Sequence, residues 1–334
     1  MAGRSQVLER RRRRIAELEQ DRLDERVRAG LRQVWEEGRR PETIRVRPAF
    51  IHLSESRTVD GKPVKPPVTQ LLRPRGIALR FYLLALYEAQ CRRTSTSCVA
   101  MKLHHGDGAV TWVDLVAVDA EGDRRTKERR TRLDNRIRQV KGALETLHGL
   151  GMVEIPRFGG TRRFAEFTLM HEAGRGDLAS PRTYAPPKAN EAVIDIPVQF
   201  FLNGWVHVLQ PTEIATWLMF RHLAIRYPGE HAEHGVYVYG DTREDEYGLK
   251  RDAYEGHAML RELGLLRFAP FVSPDGTKIL RRVPSRYDPH RFQLLDEGLS
   301  ELAVPTVLDA VTRQLAQLEH YLAAPAITWP VARH

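Results

Sequence analysis

Leu144 to Phe164 reads LETLHGLGMVEIPRFGGTRRF, and Tyr247 to Phe268 reads YGLKRDAYEGHAMLRELGLLRF. Each stretch closes a helical pattern, breaks at glycine and enters a strand pattern. Leu144-x-x-Leu147 followed by Gly149 and Gly151 corresponds to Leu260-x-x-Leu263 followed by Gly264. Upstream of the first break, Leu133, Ile137, Val140, Leu144 and Leu147 step by four and three, which predicts a helix over about Arg125–His148 with a buried stripe. Downstream, Met152–Pro156 and Phe164–Met170 read as strands around Gly159-Gly160, a hairpin signal. In the second stretch a helix over Lys250–Leu263 leads to strands Leu265–Val272 and Thr277–Val283 around the turn Ser273–Gly276.

Further out, the same order recurs. Leu79–Tyr87 reads as a buried helix, followed by a short strand and short helix across Ala109–Asp119. Thr212–Arg226 reads as a helix, followed by a strand over Val236–Tyr239 and a short helix over Thr242–Tyr247. Helix, strand, helix, turn, helix and a two-stranded hairpin is the winged-helix order. The expectation is therefore an α+β chain with two tandem winged helix-turn-helix domains, 76–172 and 194–286. A basic N-terminal helix (1–40), a proline-rich linker (41–75), a second linker (173–193) and a C-terminal helix with a tail (287–334) flank and join them. Leu308, Val311, Leu315, Leu318 and Leu322 share one face of that last helix. It and the N-terminal helix fit either a homodimer contact or packing back on the modules.

A major groove admits one helix whose inner face is fixed and whose outer face is polar. Opposite the Leu133–Leu147 stripe lie Thr131, Arg132, Asn135, Arg138 and Gln139, with Arg136 on the flank and Asp134 the one acid between Thr131 and Lys141. Arginine suits guanine O6 and N7, and Asn or Gln suits adenine N6 and N7. Arg124, Arg125, Lys127, Arg129 and Arg130 suit phosphates, and Arg157, Arg162 and Arg163 at the hairpin tip suit a minor groove or the backbone. The second module offers Lys250, Arg251 and Tyr254 on its third helix and Lys278, Arg281 and Arg282 on its wing, mixed with Asp252, Glu255 and Glu262. Its assignment stays open between DNA contact and dimerisation. The run Arg10–Arg14 fits a phosphate backbone or a solvated helix face equally.

The two quoted stretches resemble the tandem winged-helix replication initiators of bacterial plasmids. That resemblance implies sequence-specific binding of double-stranded DNA and a role in starting replication; a winged-helix transcriptional regulator and a protein-docking scaffold are the alternatives.

Composition agrees with a polyanion partner. Fifty-two Lys+Arg face 43 Asp+Glu, and arginine far outnumbers lysine, although a GC-rich genome produces the same bias. Two cysteines exclude a disulfide scaffold and point to a reducing cytoplasm. No apolar run is long enough for a membrane span. Catalysis finds no support: no phosphate loop of the Walker type occurs, and His104-His105-Gly106-Asp107 reads as a turn. His231-x-x-His234 lacks further ligands for a metal. Trp112, Trp205 and Trp217 sit among apolar residues and read as core. No enzyme activity, cofactor, metal or small-molecule substrate is expected.

Overall fold

The computed structural model describes residues 2–20, 22–54, 58–59, 62–72, 76–92, 98–99, 110–116, 132–156, 164, 166–175, 182–269, 271–272, 278–279 and 290–323. The chain is helix-rich α+β with small antiparallel sheets. No described helix is long and apolar enough to cross a membrane.

The N-terminal segment forms α1 (Ala2–Gln20) and α2 (Leu23–Glu37) in place of one long helix. Arg22 adopts a left-handed conformation, φ 47° and ψ 30°, at the break. No glycine or proline marks that point in the sequence. Leu8, Ile15 and Leu18 of α1 and Leu23, Val27 and Leu31 of α2 are buried.

The segment expected to be a linker is core. It contains β1 (Thr43–Val46), a 3₁₀ turn over Pro48–Phe50, β2 (Thr58–Val59), β3 (Lys62–Pro63) and α3 (Pro67–Gln70). Ile44, Val46, Phe50, Ile51, Val68 and Leu71 are almost fully buried, each contributing about 1.5–3 kcal/mol of transfer free energy. Prolines here shape turns without keeping the chain at the surface.

Every residue of α4 (Ala78–Cys91) is buried. Its two charged members have internal partners: Arg80 donates to the Leu209 carbonyl at 2.8 Å, and Glu88 pairs with Arg92 at 2.8 Å. The helix is followed by β4 (Cys98–Val99), α5 (Trp112–Leu115), α6 (Arg132–Gly149), β5 (Val153–Glu154) and β6 (Phe167–Leu169). A capping box between Thr111 and Asp114 starts α5. The strands form one antiparallel sheet in the order β4-β6-β5. Helices α4 and α5 both pack on α6.

The second half opens with β7 (Ile194–Pro197), α7 (Gln199–Leu202) and α8 (Trp205–Val208), and continues with α9 (Pro211–Arg226) and α10 (Pro228–Glu233). Next come α11 (Gly240–Asp245), α12 (Arg251–Tyr254) and α13 (Gly256–Glu262). Strands β8 (Leu266–Phe268), β9 (Phe271–Val272), β10 (Lys278–Ile279) and β11 (Phe292–Leu294) follow, then a 3₁₀ turn over Asp296–Ser300 and α14 (Ala303–Ala323). Here β8 pairs with β11, and an isolated bridge joins Val236 to Phe292. The order is thus Val236–β11–β8, the counterpart of β4-β6-β5. The strand closing this sheet lies at 292–294, beyond the expected boundary at 286. Of the hairpin expected to pair Leu265–Val272 with Thr277–Val283, the described residues show β9 paired with β10; the rest of the second strand lies outside them.

The halves meet through β1 and β7, which pair antiparallel with Arg45 opposite Asp195. Gln90 of α4 receives the Arg45 N–H at 2.9 Å and donates to its carbonyl at 2.8 Å, while Arg221 of α9 donates to the Asp195 carbonyl at 2.7 Å. Each central strand residue is gripped by the long helix of its own half. The expected linker 173–193 is likewise tied down where it is described. Arg45 donates to the Pro187 and Lys188 carbonyls, and Arg47 to that of Ala185. Arg47 also pairs with Glu191 at 2.6 Å and with Glu172, whose side chain is fully buried, at 2.8 Å.

The two terminal helices pack on each other within the chain. Leu8, Ile15 and Leu18 are buried on α1, and Val304, Val307, Val311 and Leu315 on α14. Of the stripe expected on the last helix, Val311 and Leu315 are buried and Leu308 and Leu318 half-buried, while the Leu322 side chain lies outside the described residues.

Candidate nucleic-acid interface

The seam between third helix and strand is built alike in both halves. Gly151 takes φ 70° and Gly264 takes φ 70°, each in the left-handed region that spares only glycine. The Met152 N–H returns to the Leu147 carbonyl at 2.9 Å, and the Leu265 N–H to that of Leu260 at 2.9 Å. Both are six-to-one helix closures. They set Leu147 opposite Leu260, three residues from the correspondence suggested by the leucine spacing. Gly149 had blurred the match, since it stays inside α6.

Helix α6 is anchored by its second half. Val140, Ala143, Leu144 and Leu147 are buried against α4 and α5. In its first turns the expected stripe lapses: Leu133 is 47% exposed and Ile137 half-buried. Asn135, expected on the outer face, is only 4% exposed, so its amide is not presented to a base edge. Arg136 and Gln139 are half-buried and already engaged within the molecule. The outward line is Asp134, Arg138, Gly142 and Glu145. Among the described candidates of this half, Arg138 alone is exposed. Helical phase explains the shift, because Arg138 sits about 60° around the axis from Asn135 and about 100° from Gln139.

Arg132 begins α6, but its side chain lies outside the described residues, as do Arg124, Arg125, Lys127, Arg129, Arg130 and Thr131. The first wing, with Arg157, Arg162 and Arg163, also lies outside them, as do Arg281, Arg282 and the Lys278 side chain of the second.

In the second half the expected single helix over Lys250–Leu263 is α12 followed by α13. A Cβ on Gly256 would stand 3.2 Å from Glu213 Cα, so the glycine lets α13 approach the start of α9. Thr216 donates to the buried Ala253 carbonyl at 3.1 Å and fixes α12 to α9. Lys250 and Arg251 are exposed at the start of α12, but Asp252, Glu255 and Glu262 are exposed with them. Tyr254 does not project as expected. Its ring lies 4.8 Å from His257 and 5.0 Å from the Arg243 guanidinium, and burial pushes its hydroxyl up to about 12. The preceding α11 is acidic, with Asp241, Glu244 and Asp245 exposed.

The arginine run of α1 is partly internal. Arg11 is buried and forms a two-pronged pair with Glu213, whose Oε2 also accepts the Gln210 N–H that opens α9. Arg14 reaches the His207 carbonyl, whereas Arg12 and Arg13 are exposed. Arg80, Arg221 and Arg243 are buried as well. These arginines hold the fold and are not offered to a polyanion.

Trp112, Trp205 and Trp217 are core residues. His231 Nε2 accepts the Leu294 N–H at 2.9 Å, so that ring fastens β11 to α10. His104, His105 and Asp107 lie outside the described residues. Among the described residues no three His, Cys, Asp or Glu side chains converge to hold a metal ion. No protein family, curated protein or solved structure matches the chain.

Proposed function

We propose that this chain binds double-stranded DNA through two tandem winged-helix units, one running from α4 to β6 and the other from α9 to β11, in the service of plasmid-type replication initiation. The observation that carries the proposal is the repeated order of elements. In the first half α4, β4, α5, α6, β5 and β6 occur in turn; in the second α9 and α10 are followed by a bridge at Val236, then α11, α12 with α13, β8 and β11, with β9 and β10 between the last two; in each half the last strand pairs between the other two. In a winged-helix unit the connection before the last strand serves as the wing beside the third helix. Arg138, with the basic residues of 124–132 and the first wing, supplies the cations that a phosphate backbone requires. The replication role rests on the resemblance of the two seam sequences alone.

Nuclease footprinting on DNA flanking the gene tests both parts. Protection of a discrete duplex site is expected, together with loss of the replicon when the gene is interrupted. Absence of any protected site overturns the proposal; a protected site in a replicon maintained without the gene removes the replication role only.

A further inference from the structure

The turn between the second and third helices of the second half is covered by the first half. Residues 246–249 connect α11 to α12. The Leu53 N–H donates to the Glu246 carbonyl at 2.8 Å, and His52 Nε2 lies 2.8 Å from Glu246 Oε2. The His52 ring also stands 4.7 Å from that of His222 on α9 and 5.1 Å from that of Tyr247, centroid to centroid. His222 Nδ1 is 2.9 Å from the buried Tyr247 hydroxyl. Gly248, at φ 64°, receives α3: a Cβ there would meet Thr69 Oγ1 at 3.0 Å and Pro66 Cδ at 3.1 Å. From within its own half the turn is held by Arg243, whose Nε donates to the Leu249 carbonyl at 2.8 Å.

We infer that residues 48–54 and 64–72 form a brace that sets the pose of the start of α12, with His52 as the positioning residue that pins Glu246. The end of α12 is fixed to α9 through Ala253, so the turn that launches this four-residue helix sets what freedom remains at its start. Lys250 and Arg251 stand there, and their presentation to phosphate depends on residues 48–54 and 64–72 although no residue of the brace need touch DNA. This last step rests on the proposal that the second half faces DNA.

The test is amide hydrogen exchange on the full-length protein, wild type against His52→Ala and His52→Gln. Glutamine places a donor near the Nε2 position and restores the pin. Exchange across 246–256 should speed up about tenfold in His52→Ala, as expected for loss of one charge-assisted hydrogen bond, and return to within about twofold of wild type in His52→Gln. Exchange in α4 and α6 should not change. Unaltered exchange at 246–256, equal acceleration in both variants, or acceleration spread over the whole chain overturns the brace. A binding cycle on random duplex DNA then combines His52→Ala with Lys250→Ala/Arg251→Ala. Non-additive losses support positioning through α12, and additive losses overturn it. If Lys250→Ala/Arg251→Ala binds as wild type, DNA contact by the second half falls, and with it the functional step, while the exchange result still decides the brace.

Discussion

The two halves share an order of elements and a helix closure, yet differ in the charge set around the third helix. In the first half Arg138 stands out from α6, and Arg124, Arg125, Lys127, Arg129 and Arg130 precede it in sequence. In the second, Lys250 and Arg251 are followed by exposed Asp252 and Glu255 and preceded by the acidic α11. Acids facing phosphate oppose binding, so under the proposed function the first half carries most of the DNA contact. The second half holds the terminal helices, α14 packing on α8 and Arg11 of α1 pairing with Glu213.

The largest expected effect comes from the buried ion pairs, one for each half. Glu213 receives both prongs of Arg11 and the Gln210 N–H, whereas Glu172 shares Arg47 with Glu191. Glu213→Ala leaves Arg11 buried without its partner and should cost about 3–5 kcal/mol. Glu172→Ala leaves Arg47 one carboxylate and should cost less, about 1–3 kcal/mol. Urea denaturation of both variants checks the ranking, and a reversed order would break the contrast.

Acid should separate the halves next. Burial, with Arg80 and Arg14 nearby, holds His207 down at about 3; burial, His52 and Arg226 hold His222 at about 4; His231 and His257 are lowered too, chiefly by burial. All four belong to the second half; in the first, His171 is lowered, chiefly by burial. A base whose folded value is depressed binds fewer protons when folded. Its stabilisation is complete above about pH 6.5 and is lost as pH falls toward its folded value. The first half's Glu191, lowered to about 2 chiefly by Arg47, gives up its contribution only below about pH 4.5. Glu88, raised by burial, acts in the opposite sense and favours the folded state in acid. Between pH 6.5 and 4.5 hydrogen exchange should therefore rise first in α8, α9 and α13, ahead of α4 and α6. His207→Phe should reduce that sensitivity, because neither ring nitrogen of His207 has a hydrogen-bond partner. Uniform loosening, or an unchanged acid response in His207→Phe, would contradict this account.

Long periodic elements were legible from sequence. Helices α4 and α9 follow from their apolar runs, the anchored half of α6 from Val140, Leu144 and Leu147, and both seams from their glycines. Three features were not. Strands β1 and β7 are four residues each and far apart in sequence, so neither shows a pattern by itself, and the prolines around β1 suggested a linker. The α1–α2 break depends on a left-handed arginine, a choice that no local residue preference announces. The outer face of α6 was misjudged because Leu133 and Ile137 extend the leucine period past the end of the core, placing Asn135 outside on paper and inside in the fold. The burial of Arg11 is similarly invisible, since its partner Glu213 lies some 200 positions away in the chain.

The smallest effect is the most direct test of the proposed division of labour: a salt titration of affinity for duplex DNA. Wild type should show a steep linear loss of log affinity with log salt. Arg129→Ala/Arg130→Ala/Arg138→Ala should lower that slope by up to about 0.9 for each phosphate contact removed, while Lys250→Ala/Arg251→Ala changes it by less than about one unit. Circular dichroism of both variants should match wild type. A salt-insensitive wild type, or a slope that falls more in the second-half variant than in the first, would contradict DNA binding led by the first half.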